Sequence, residues 1–600
     1  MRSFFSSRGK ESLYAMALMV LAAFAPAIPL NAQSITGAII GTITDQSDAA
    51  VANAKLTATE VTSNVATETV SDAQGLYSFP SLRSGVYRIE AEAPGFRKLS
   101  EPNIEVRVND RLEINLKMVV GAVSESIVVS GATPLVETQT GSIGNVIENT
   151  KIVNLPLNQR NPYQLALLSP GVTPAPGFGN LFNSASLFMV NGNLGRTSEM
   201  LIDGITNSVP AANPILVVSL FPSPDAIEEF KMQTNSYAAE FGRAGGGIVN
   251  MVIKSGSNQL HGVLYEFLRN SQLDANDFFS NRAGLKLSSF KRNQFGFTSG
   301  GPVIRDHVFF FVNYEALRQR SFDSVTGTTP TALERNGDFS QSRQIVGGNC
   351  VPVQIYDPFT TRANPAGGFI RDPFPGSVIP ASRLDPVGKN IVKFFPDPTS
   401  PGAACTGATN FLSNLTTPLN TNEVDAKFDW VPSEKTRMSA GLGWRSYVQN
   451  PANHYGNVAA PTLTSDNIPA RSLRLEYNRT QSATLLFQGR FGITRLERYY
   501  GPPAPPDFTL ASLGFPSSLE KQMQTPIGFP VFSFTGYVGM GKGSQFLDQR
   551  GTAYTWDANV TKIAGPHQLK AGLEYRINQS REGVGADTSG NFSFDRTYTQ

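Results

Sequence analysis

Beyond Leu260 the chain alternates apolar and polar residues over long stretches. Val424, Ala426, Phe428 and Trp430 share one side, with Asp425, Lys427 and Asp429 opposite. Leu473, Leu475 and Tyr477 oppose Arg474, Glu476 and Asn478; Ala483, Leu485, Phe487, Gly489, Phe491 and Ile493 make another apolar face. Tyr554, Trp556, Ala558 and Val560 oppose Thr555, Asp557, Asn559 and Thr561, and Leu569, Ala571, Leu573, Tyr575 and Ile577 oppose Lys570, Gly572, Glu574 and Arg576. Successive strand side chains point to opposite faces, so each run predicts a strand with one apolar and one polar surface. Strands of ~10 residues with this pattern, and with Tyr and Trp near their ends, fit a barrel that crosses an outer membrane. Helices do not compete for that role. The longest apolar run after the N-terminal segment, Ile215–Phe221, falls far short of the ~20 residues a membrane helix needs. Earlier strands are expected over Gln259–Asn270, Arg292–Gly301 and Asp306–Leu317, where Phe309, Phe310 and Phe311 break the alternation.

Six hundred residues are too many for one core. Charged residues make up 16 % and nearly balance at +2, which removes the electrostatic case for a nucleic-acid partner. The 54 glycines, 39 phenylalanines and 17 tyrosines suit turn-rich β structure. Residues 1–32 read as a secretory signal: Arg2, Arg8 and Lys10, then the apolar Leu13–Phe24, then Leu30-Asn31-Ala32 before Gln33. Residues 34–118 carry seven short alternating runs separated by turn signals such as Asp72–Gly75 and Asn109-Asp110, the pattern of a β-sandwich.

Residues 136–258 read as a small mixed domain. Pro162–Leu168 is a short helix ended by Pro170-Gly171. Met200–Asp203 is a strand stopped by Gly204. Ser223 caps a helical turn, Asp225–Glu229, with Pro224 at its first position, and leads into the strand Phe230–Thr234. Gly242 and Gly245, Gly246 and Gly247 permit positive φ or close backbone approach before the strand Ile248–Lys254. The glycines lack the Lys-Ser/Thr tail and long helix of a phosphate loop.

These segments, Ile202-Asp203-Gly204, IEEFKMQTN and EFGRAGGGIVNMVIKSGSN, resemble the end of the plug domain of TonB-dependent outer-membrane transporters. The string GLYSFPSLRSGVYRIEAEAPGF resembles carboxypeptidase-regulatory-like sandwiches, with Tyr77, Phe79, Leu82, Tyr87 and Phe96 in its core. The combination is similar to the Oar-like branch. The implied fold is mainly β: signal peptide 1–32, sandwich 34–118, linker 119–135, plug 136–258, and the first part of a transmembrane antiparallel barrel over 259–600. The resemblance makes Asp203, Gly204, Arg243 and Gly245–Gly247 plug-motif residues, with Arg243 expected to be buried beside a partner. It also implies that Ser126, Ile127, Val128, Val129 and Ser130 pair with TonB by strand addition. The same residues equally fit a last strand of the sandwich or a strand of the plug. The sandwich itself reads as a spacer or docking module, with carbohydrate binding as the alternative.

Residues 321–420 form a Pro-, Gly-, Asp- and Asn-rich connection, expected outside the cell. They hold both cysteines. In an oxidising compartment Cys350 and Cys405 are expected to form a disulfide, with free thiols or an interchain bond as alternatives. The sequence stops without a terminal aromatic-ended strand and offers roughly eight to ten strands where such transporters have about 22. It therefore reads as the N-terminal part of a barrel. His261, His307, His454 and His567 lack metal-ligand spacing and no nucleophile elbow occurs, so neither an enzyme nor a cofactor is expected. The implied function is TonB-dependent uptake of a ligand of unknown type in the outer membrane of a Gram-negative cell, through plug rearrangement, with membrane lipid and TonB as partners. The alternative is a surface binding or adhesion protein without transport.

Overall fold

The computed structural model describes residues 36–597, apart from 109, 122–125, 129–142, 176–187, 195–196, 211–215, 283, 285, 463, 483, 502–507, 524–527, 542–545, 565–566 and 586. The signal-peptide reading and the Val129 and Ser130 positions lie outside the described residues.

The first body is a sandwich of two sheets. In one, Leu76–Leu82 and Arg111–Glu113 flank Gly37–Thr44, which also pairs with Leu116–Lys117. The other runs Ala66–Val70, Lys55–Glu60, Gly85–Glu92, Lys98–Val106, Ser126–Val128. Alternate residues of both sheets meet in a core that includes Ile39, Leu56, Tyr77, Phe79, Leu82 and Tyr87, with Phe96 packed at its margin. The last strand comes from beyond residue 118, so part of the expected linker completes the second sheet.

The second body has a five-stranded sheet, ordered Ile143–Glu148, Ile227–Asn235, Ile248–Ile253, Glu199–Ile202, Ile205–Thr206. Pro162–Leu168 is helical as expected, started by Pro162 and by the Asn161 side chain, which accepts from the Tyr163 N–H. The turn expected over Asp225–Glu229 is shorter. Only Pro224–Ala226 is helical and the strand begins at Ile227. The Ser223 hydroxyl does not cap it but donates to Asn313 Oδ1 at 2.8 Å.

The third body is a ten-stranded antiparallel sheet. Its strands are His261–Asn270, Phe290–Ile304, Val308–Gly327, Phe411–Ser433, Thr436–Gln449, Ser465–Asn467, Ala470–Ser482, Leu485–Gly501, Phe546–Ala564 and His567–Gly585. Its burial is inverted relative to a soluble sandwich. Asp425 and Asp429 are fully buried, whereas the adjacent Trp430 is 50 % exposed. The polar face turns inward onto the second body, and the apolar face, with Phe428, Trp444, Leu573 and Tyr575, turns outward. A surface meant for lipid makes that arrangement favourable. The second body is therefore called the inner domain, and the sheet the wall.

The wall strands overrun the sequence limits. Val308–Gly327 pairs along its whole length with Phe411–Trp430, so the connection expected over 321–420 narrows to 328–410. At 20 and 23 residues these strands exceed the ~10 needed to cross a bilayer and continue outside it. Phe309–Phe311 also finds its reason. Phe311 joins the core of the inner domain, and Phe309 packs with Val65 of the sandwich and Val431. At the far end the connections gather around an apolar cluster that includes Phe395, Tyr455, Leu513, Phe529, Phe532 and Met540. Cys350 and Cys405 are disulfide-bonded there, their Cα atoms 5.8 Å apart.

Candidate functional site

The contacts that hold the inner domain against the wall define the site. Asp203 and Gly204 form a two-residue turn between Glu199–Ile202 and Ile205–Thr206, both with positive φ (47° and 74°). Asp is among the few non-glycine residues that enter that conformation readily, and here its side chain accepts from the Ile253 N–H of a neighbouring strand at 3.1 Å. The same carboxylate accepts from Lys427 Nζ at 3.1 Å and Arg474 Nε at 3.2 Å, on two different wall strands. Lys427 also donates to the Ile253 carbonyl, 2.9 Å away. Burial pushes the Asp203 carboxyl up, but the two cations outweigh it and hold it below the usual carboxylate range.

A second contact, which sequence reading missed, centres on Arg160. Its guanidinium pairs with Asp225 of the inner domain and with Glu315 of the wall, 3.0 Å from Nε. Glu315 also accepts from Tyr265 Oη at 3.1 Å and Gln294 Nε2 at 2.8 Å, and Arg160 lies over the Tyr265 and Phe267 rings. In a third, Glu423 accepts from the Phe221 N–H at 2.7 Å while Arg445 stacks 4.5 Å over the Phe221 ring. Glu199 of the inner domain meets Arg576 at 3.2 Å. The inner domain is thus fixed to the wall by paired charges set beside an apolar seam, in which Phe311, Leu419, Tyr447 and Leu496 of the wall join its core.

The glycine motif behaves differently from expectation in two respects. Gly246 and Gly247 serve close approach: an added Cβ would lie 2.6 Å from Ser198 Oγ and 2.6 Å from Met232 Cε, respectively. At Gly245 it would meet only ordinary contact at 3.6 Å. Gly245 and Gly246 donate their N–H groups to the Thr197 carbonyl. Positive φ falls instead on Arg243, at 61°. Nor is Arg243 buried as expected. It is exposed, on a loop that cannot seal it, and lines a cavity of about 970 Å³ between sandwich, inner domain and wall.

Ser126–Val128 pairs in parallel with Lys98–Ser100 at the edge of the sandwich. Elsewhere, Glu229 of the inner domain accepts from the Val108 N–H of the sandwich at 2.7 Å and from Ser84 Oγ at 3.2 Å. No group of three or more His, Cys, Asp or Glu able to hold a metal occurs among the described residues. No described helix is long and apolar enough to cross a membrane.

Residues 252–600 match the outer membrane beta barrel domain family, and residues 38–119 match the carboxypeptidase regulatory-like domain. The chain belongs to the outer-membrane β-barrel family. That family places it in an outer membrane, where the outward apolar face of the wall meets lipid. It is similar to the TonB-dependent transporter Oar of Myxococcus xanthus, 27 % identical over 300 residues. The match covers 47 % of this chain and 27 % of that protein, so the barrel-family chain spans about a quarter of its relative's length. Among solved structures it is similar to the outer-membrane transporter YddB of Escherichia coli (TM-score 0.41, 13 % identity, 70 % of this chain and 45 % of that one). It is also similar to the ferric enterobactin receptor PfeA of Pseudomonas aeruginosa (TM-score 0.39, 10 % identity, 74 % and 49 %). The carboxypeptidase-regulatory-like and barrel matches, with the Oar relative, support the expected Oar-type TonB-dependent receptor. These relatives are transporters or receptors rather than enzymes.

Proposed function

We propose that this barrel protein is a TonB-dependent transporter in which the inner domain is the plug. The observation that carries the reading is the buried polar face of the wall, filled by a folded domain and held there through Asp203, Arg160 and Glu423. Apolar wall residues join the core of the inner domain, and the charges are buried beside them. Buried ion pairs give less net stability but demand a specific fit, and they are lost together when geometry shifts. That suits a domain that must stay put at rest and rearrange under load. Ligand binds the disulfide-linked outer connections and the outer side of the plug. TonB then engages Ser126, Ile127, Val128, Val129 and Ser130 by strand addition, for which the three-residue pairing to Lys98–Ser100 must first open. No chemistry is done on the ligand.

The test uses the full-length natural protein in cells. Uptake of radiolabelled ferric siderophore, cobalamin and mixed oligosaccharides is followed with and without a collapsed proton gradient. Deleting 126–130 should abolish energy-dependent uptake of the transported probe and leave its surface binding intact. Binding with no energy-dependent uptake of any probe, even by the wild type, would point to a surface receptor without transport.

A further inference from the structure

The sandwich is not a free spacer. Arg83, in the turn between Leu76–Leu82 and Gly85–Glu92, pairs with the fully buried Asp429 on the inward face of the wall and reaches Ser255 Oγ at 3.5 Å. Arg437 of the wall donates to Thr67 Oγ1 at 3.0 Å, and the Asn258 N–H to the Thr62 carbonyl at 3.1 Å. Val65 packs against Phe309 and Val431. Toward the inner domain, Glu229 binds Ser84 and Val108, and Lys231 Nζ donates to the Val108 carbonyl at 3.0 Å. All these wall residues lie near the short connections at 305–307 and 434–435, the end that faces the periplasm in a barrel of this kind. The sandwich therefore bridges plug and wall at the inner mouth. Behind it lies the 970 Å³ cavity, lined by Arg111 of the sandwich, Glu240 and Arg243 of the inner domain, and Thr561, Lys570 and Arg576 of the wall.

We propose that the sandwich is a stopper for the periplasmic mouth, bolted to the barrel by Arg83 and released before anything leaves the cavity. The inference rests on the transport reading only for the purpose of the release; the docked position of the sandwich stands by itself. A spacer would need no buried charge. Asp429 has no access to water, and the half-buried Arg83 brings its countercharge from the sandwich, so undocking would leave a buried carboxylate without it.

The test is labelling of a cysteine at Thr561, a cavity-lining residue that is 4 % exposed. Cys350 and Cys405 are bonded and do not interfere. Full-length Thr561→Cys protein in detergent is treated with a polyethylene-glycol maleimide too bulky to pass between the docked sandwich and the wall. Wild-type background should label slowly. Arg83→Ala should speed labelling about tenfold or more, since it leaves Asp429 unpaired. Arg83→Asp with Asp429→Arg should return the rate toward the slow value, and a Val65→Cys/Val431→Cys cross-link should suppress labelling even in the Arg83→Ala background. Heat-modifiability on a gel checks that each variant retains its barrel. An unchanged rate in a folded Arg83→Ala protein would overturn the stopper, as would failure of the exchanged pair to restore slow labelling. The assay uses neither cargo nor energy, so failure of the transport reading leaves its outcome untouched.

Discussion

Asp203 accepts from Lys427 at 3.1 Å and so ties a two-residue turn of the inner domain to a strand of the wall. Arg474 completes the arrangement from another strand. Replacing Asp203 by Ala removes the carboxylate that both cations share. The expected loss is about 3–5 kcal/mol of docking stability, read as protease sensitivity of the inner domain in a protein whose barrel still shows a heat shift. Asp203→Ala with Lys427→Met should lose less. Because the folded carboxyl titrates below its unfolded value near 3.8, its stabilisation is present above that pH and is lost as pH falls through the lower folded value.

Glu229 has the opposite sign. Burial comes first, pushing its carboxyl up to about 7, against the Val108 N–H, Lys231 and Ser84; Asp110 pushes the same way as burial. The folded protein thus holds the proton more tightly than the unfolded chain. The contribution is complete below about 4.5 and is lost as pH rises to about 7, for a total of about 3 kcal/mol. Urea midpoints of the full-length protein should fall across this window. Glu229→Gln should flatten that part of the profile, and an identical slope in the variant would remove Glu229 as its source.

The glycine motif should divide by space. Gly247→Ala places a methyl against Met232 and the Gln233 carbonyl, at 2.6 and 3.0 Å, and should cost about 1–3 kcal/mol. Gly245→Ala meets only Thr197 at 3.6 Å and should change stability by less than about 0.5 kcal/mol. Equal melting temperatures for both variants would contradict this difference.

The Cys350–Cys405 bond closes a segment of 55 residues, worth about 4 kcal/mol of chain entropy in a simple loop model. Intact mass should rise by two alkyl groups only when reduction precedes alkylation. Cys350→Ser with Cys405→Ser should make the 328–410 connection the first site of proteolytic cleavage. Alkylation without reduction would show free thiols.

What could be read beforehand follows from where the physics is local. Phe428 and Trp430 announce a lipid-facing strand because neighbours two apart share a face. Strand ends are harder to read: past Leu317, Arg318, Arg320 and Asp323 break the apolar pattern while the pairing goes on to Gly327. The Arg160 contact left no local trace, since its partners lie 65 and 155 residues away. Arg83 and Asp429 are 346 apart. Asp203 was visible only through its turn, which needs a residue that accepts positive φ; nothing nearby foretold Lys427 or Arg474. Arg243 misled because a charge between glycines suggests a buried role, whereas its loop stays at the surface.

The separation of Asp203 from its wall partners also orders assembly. Lys427 and Arg474 follow it by 224 and 271 residues. A nascent inner domain emerging into the periplasm has its five strands but not the cations that neutralise its turn. It must wait, partly finished, until those hairpins arrive.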